Sequence, residues 1–147
     1  MAYETVENAD TYFASRLHVY SWTDAVTADK TAALAEATAR IDRLRFSGGK
    51  TDDEQDNEFP RDDETEVPDD IKIACCEVAF ALLDGIDPDR EYLKLGNSKE
   101  EFDSVKETRA LGEIPEHAVA GIPSRYAWLF LLSYLDSPGT INLNRTS

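Results

Sequence analysis

Basic residues are scarce in this chain of 147: fifteen Lys and Arg stand against thirty Asp and Glu, a formal net charge of −15. Such a balance repels phosphate, so a nucleic-acid grip built on a basic groove is not expected. Sulfur is scarcer still, with one methionine and two adjacent cysteines, Cys75 and Cys76. Neighbours in a helix point their side chains about 100° apart, so these thiols do not bridge and no disulfide framework is expected. A structural zinc site needs a fuller ligand set, and the only histidines, His18 and His117, lie far from the cysteines in sequence. Long apolar runs are missing too. The longest, residues 126–132 (YAWLFLL), is about one-third of the ~20 residues that span a membrane. The opening MAYETVENAD lacks the basic start and apolar core of a signal peptide, so the chain is expected in a cytoplasm.

What is present in excess is acid, and it is localised. Residues 51–70 (TDDEQDNEFPRDDETEVPDD) hold eleven Asp or Glu and one basic residue, Arg61, and so carry −10 of the net −15. A run of like charge reads as a solvated loop that repels itself and stays extended. The alternative is a surface turned towards another polyanion or towards copies of itself. Asp52, Glu54 and Asp56 do not start a calcium loop, because Asn57 stands where its turn needs glycine and Asp63 where it needs glutamate. Gly48, Gly49, Lys50 and Thr51 resemble the end of a phosphate-binding loop, but Leu44 occupies the position of its first glycine. Neither histidine has a nucleophile near it in sequence. No catalytic, cofactor-binding or metal site is therefore expected, and the chain does not read as an enzyme.

The hydrophobic pattern predicts a mainly α fold, a compact four-helix bundle with an irregular or short β segment before the last helix and an extended C-terminal arm. The first helix starts after Thr5 as cap, with Val6, Ala9, Phe13 and Leu17 on one stripe beside Tyr12, and runs to about Ser21 and Trp22. The second starts near Thr27 or Asp29 and presents Leu34, Ala37, Ile41 and Leu44, with Arg40, Arg43 and Arg45 in its last turns and Gly48 and Gly49 as its stop. The third follows Pro68, capped by Asp69 or Asp70, and is apolar on nearly all sides from Ile71 to Leu82 until Gly85 closes it. The fourth begins at Ser124 after Pro123 and ends before Pro138 and Gly139. Between the third and fourth, residues 87–121 fit a strand or helical turns equally well. Residues 1–135 are expected to form the helical domain, with 51–70 as an acidic hinge and 136–147 as the arm. In the arm, Ile141 and Leu143 alternate with Asn142 and Asn144, a short strand pattern.

The order YETVENADTYFASRL, Trp22, AALAEATARIDRL with FSGGK, FPR, VPDDIKIACCEVAFALL, PSRYAWLFLLSYL and INLNR resembles the small head-to-tail connector, or adaptor, proteins of tailed bacteriophages. Some members of that group carry the label of DnaT-like single-stranded-DNA-binding proteins. The resemblance implies a structural virion protein at the head–tail junction, made in the host cytoplasm and assembled as a homo-oligomeric ring of twelve. Its implied partners are the phage portal protein and a downstream tail or nozzle protein, with no membrane. DNA would pass through without specific binding. On that reading Ile141, Asn142, Leu143, Asn144 and Arg145 dock on a partner, while Asp52, Asp53, Glu54, Asp56, Glu58, Asp62, Asp63 and Glu64 line the channel or a contact between subunits. Two alternatives stand beside it. One is a phage single-stranded-DNA-binding protein, for which six Tyr, six Phe and two Trp supply stacking surfaces and Arg40, Arg43 and Arg45 form the one compact basic cluster. The other is a generic helical protein-interaction domain.

Overall fold

The computed structural model describes residues 1–87, 89 and 115–136. These are mainly helical: α1 (Val6–Phe13), α2 (Tyr20–Thr23), α3 (Thr27–Asp42), α4 (Asp69–Leu83), α5 (Glu116–Val119), α6 (Arg125–Leu131) and a closing 3-10 turn (Leu132–Tyr134). No strand occurs among the described residues, only isolated antiparallel bridges joining Phe46 to Leu135 and Lys50 to Arg61. The irregular or β segment expected before the last helix lies outside the described residues except for its end, which forms α5. The arm expected over 136–147 lies outside them beyond Asp136.

Local chemistry sets the helix ends. The Thr5 hydroxyl accepts from the Asn8 N–H at 3.1 Å, and Ser124 accepts from the Ala127 N–H at 3.0 Å, so both side chains satisfy donors that a helix start leaves unpaired. Pro68 rather than Asp69 or Asp70 takes the cap position of α4; both aspartates sit in the first turn, where the positive end of the dipole favours them. At the other end Gly85 adopts φ 86°. The N–H of Ile86 then reaches Ala81 O and that of Gly85 reaches Leu82 O, both at 3.1 Å, which closes the helix with a Schellman turn.

The first expected helix is two helices. It stops at Phe13, and α2 begins at Tyr20 after His18 takes the left-handed conformation at φ 59°. A residue in that region cannot continue a right-handed helix. Leu17, placed by its spacing on the apolar stripe, is consequently 79% exposed.

Helix α4 is the centre of the core. It packs on α3 most extensively, then on α6 and α2, and Ile71, Ala74, Cys75, Val78 and Ala79 are fully buried together with Ala37 and Ile41 of α3. Of these, the branched side chains of Ile41, Ile71 and Val78 each contribute about 1.5–3 kcal/mol on removal from water. Phe13 ends α1 inside an aromatic group, 5.0 Å from the Trp22 ring and 5.6 Å from Phe80. Trp22 Nε1 and Lys30 Nζ both donate to Asp10 Oδ1, at 2.8 and 3.0 Å, and so tie α1, α2 and α3 at one point.

The acidic stretch is not extended. Arg61, 9% exposed, folds it by donating from Nε to Ser47 O at 3.0 Å, from Nη2 to Gly48 O at 2.8 Å and from Nη1 to Glu58 Oε1 at 2.8 Å. The Thr51 N–H reaches Pro60 O and the Asp62 N–H reaches Gly49 O, which draws the two limbs together. Phe59 is buried between Phe46 and Tyr134, with ring centroids at 4.7 and 5.6 Å. A sequence count sees eleven repelling carboxylates. One buried cation bound to main-chain carbonyls outweighs that repulsion, because the carboxylates point outward into water, where their mutual field is screened.

Candidate nucleic-acid interface

Helix α4 buries one carboxylate, that of Glu77, at 3% exposure. A charge in such a place must be paired, and two residues of the segment around the end of α1 pair it. The Tyr12 hydroxyl donates to Glu77 Oε2 at 2.6 Å, and Arg16 Nη1 donates to the same oxygen. Arg16 also donates to the Tyr12 oxygen at 3.2 Å, closing the triangle. Burial opposes the charge on Arg16, but the hydrogen bond and charge of Glu77 outweigh it and hold the guanidinium pKa above its ordinary value. Burial and then the same carboxylate push the Tyr12 hydroxyl pKa up.

Held in this way, the guanidinium group reaches α6. Its carbon lies 5.5 Å from the centroid of Tyr126 and 5.9 Å from that of Tyr12, within the range of cation–π attraction. Phe130 meets the Tyr126 ring edge-on, with centroids at 5.1 Å and planes at 90°. Tyr126 is therefore fixed from two sides and still 48% exposed. A few residues beyond Arg16 stands a second exposed aromatic, Tyr20, 66% exposed, with the His18 ring 6.2 Å away and edge-on. An exposed ring of fixed orientation beside a cation, as Tyr126 is, can stack a nucleobase. Arg16 and Tyr126 are remote in sequence, and the only trace of this face there is the abundance of aromatics.

The residues singled out from the sequence are placed elsewhere. Asp52, Asp53, Glu54, Asp56, Asp62, Asp63 and Glu64 are exposed on the folded loop, whereas Glu58 is half-buried on Arg61. Of the basic cluster, Arg40 is committed to Glu36 Oε2 at 3.1 Å and Gly121 O at 2.9 Å, while Arg43 and Arg45 are exposed. Ile141, Asn142, Leu143, Asn144 and Arg145 lie outside the described residues. Cys75 and Cys76 are buried free thiols, and burial pushes the Cys75 pKa up to about 11, far from a reactive thiolate. Among the described residues, no helix is long and apolar enough to cross a membrane.

The fold and this face define a mainly helical protein with an acidic loop and a separate aromatic–cationic surface. A family model described as "Putative DnaT-like ssDNA binding protein" matches residues 2–114, well over half of the chain, and the chain belongs to that family. No curated protein and no solved structure matches it.

The family description overturns the expectation of a structural head-to-tail adaptor and agrees with the alternative of single-stranded-DNA binding. The ring of twelve, the portal and tail partners and the virion junction have no support in it. The adaptor reading rested on the order of motifs along the chain, while whole-chain charge and the lack of a long basic cluster weighed against single-strand binding. Net charge is a sum, and a stacking surface is a local arrangement that the sum does not describe.

Proposed function

We propose that the chain binds single-stranded DNA through the face that carries Arg16 and Tyr126. The observation behind this reading is the Arg16 guanidinium laid over the exposed Tyr126 ring at 5.5 Å, in a member of a family described by such binding. Only unpaired bases offer their faces to a protein ring, so a single strand is preferred over a duplex. The acidic loop does not forbid this. It holds −10 of the net charge and leaves −5 for the other residues, so repulsion of a strand is strongest at the loop and weaker elsewhere.

In this reading α1, α3, α4 and α6 act as one four-helix body, and its rigidity holds the platform still. Stacking contributes about 1–3 kcal/mol per base, so a stacking face without a basic groove gives weak binding, between about tens of micromolar and millimolar.

The test is fluorescence anisotropy with labelled single-stranded and duplex oligonucleotides of equal length at physiological salt. The expected result is binding of the single strand at least ~10-fold tighter than the duplex. Absence of binding to both at concentrations up to about 1 mM would defeat the proposal.

A further inference from the structure

The charge of Arg16 is already matched by a buried partner. Glu77 Oε2 takes hydrogen bonds from both Arg16 and Tyr12, and its side chain is 3% exposed, so the pair is close to neutral as seen from outside. A guanidinium that serves as a phosphate clamp keeps its donors free for the anion. Here at least one donor is turned inward, and the guanidinium carbon lies over the Tyr12 and Tyr126 rings, 5.9 and 5.5 Å from their centroids.

On that basis, and resting on the proposed single-strand binding, we infer that this face recognises the nucleobase and not the phosphate. Tyr126 is the stacking platform. Arg16 is a positioning residue, held by Glu77 and Tyr12, that fixes the ring plane and polarises its face. Recognition of this kind releases few counterions, so affinity falls little with salt, in contrast to a basic groove whose affinity drops steeply. It also requires an aromatic ring on the ligand and tolerates most base sequences.

The experiment compares two labelled single strands of equal length and equal phosphate count, one of thymidines and one of abasic tetrahydrofuran units, titrated with the full chain across a range of salt. The wild type is expected to bind the thymidine strand at least ~10-fold tighter than the abasic one, with a shallow salt slope. Tyr126→Trp should keep that ratio, and Tyr126→Leu should collapse it towards one. Arg16→Lys, which retains the charge and the reach to Glu77 but not the planar group, should lower thymidine binding and leave abasic binding unchanged. Equal binding of the two strands with a steep salt slope would overturn the base-recognition inference while leaving single-strand binding intact. Binding of neither strand would overturn both. Circular dichroism of each variant confirms that its helices persist. Should Tyr126→Leu fail to fold, the wild-type ratio of thymidine to abasic binding still decides the matter.

Discussion

The hydroxyl of Tyr3 donates to Oδ1 of Asp42, thirty-nine positions along the chain. The same tyrosine oxygen accepts from the Phe59 N–H at 3.2 Å, and its backbone N–H donates to Thr38 Oγ1 at 3.0 Å. Asp42 in turn accepts from the Glu58 N–H at 3.4 Å. One residue near the start of the chain thus joins α3 to the acidic loop.

This junction has a pH signature. Burial, only partly offset by the hydrogen bond from Tyr3, raises the Asp42 pKa above its ordinary 3.8. The folded state therefore holds the proton more tightly than the unfolded one. Its stabilising contribution is fully present below the ordinary value and is lost as pH rises through the folded pKa. Asp42→Asn keeps an acceptor for Tyr3 and cannot ionise. Its melting temperature should equal or exceed that of the wild type at neutral pH, and the two should converge in acid below both pKa values. A variant less stable than the wild type only at neutral pH would reverse the assigned sign.

Arg61 should be indispensable to the acidic loop. Removing its guanidinium leaves the carbonyls of Ser47, Gly48 and Phe46 without this donor and Glu58 with Lys50 alone, at 3.9 Å. Arg61→Met is expected to cost a few kcal/mol, about 1–3 kcal/mol for each buried acceptor left without a donor. Amide exchange should report it locally, through lost protection at Thr51 and Asp62, before the core helices respond.

Val78 on α4 is fully buried. Val78→Asp places an unpaired carboxylate among the residues that α3, α4 and α6 share, and it should prevent folding, since an isolated buried charge costs several kcal/mol even after relaxation. Circular dichroism and thermal unfolding check it. An unchanged melting curve would remove α4 from the centre of the fold.

The glycines at 85 and 48 should respond unequally to alanine. Both have positive φ, 86° and 77°, which costs an L-residue about 1–2 kcal/mol. A Cβ on Gly85 meets nothing within 4 Å, so Gly85→Ala should cost that strain alone. A Cβ on Gly48 would overlap Asp62 Oδ1, the atom that accepts from the Gly49 N–H at 3.1 Å. Gly48→Ala must displace that carboxylate as well and should be the more destabilising of the two by chemical denaturation.

The legible parts of the fold were those written in local chemistry. Thr5 and Ser124 as caps, Gly85 as a stop and the apolar run of α4 all follow from neighbouring residues. The break of the first helix was not legible, because its left-handed residue is His18, with no glycine or proline to mark it. The acidic loop misled for a different reason: Arg61 is one cation among eleven acids in sequence, yet its partners are mostly carbonyls, which every residue has and no composition counts. The aromatic face depended on Glu77, whose spacing on α4 gives no hint that Arg16 and Tyr12 converge on it.

The loop spends its one cation inward, on carbonyls and on Glu58, and leaves seven carboxylates of residues 52–64 facing solvent. Its exterior is an uncompensated pole. Two copies approaching pole to pole repel over about 10 Å at 0.1 M salt, which discourages self-association by that surface and keeps the protein dispersed at high concentration. Light scattering would register the effect as a positive second virial coefficient at low ionic strength that declines as salt is added.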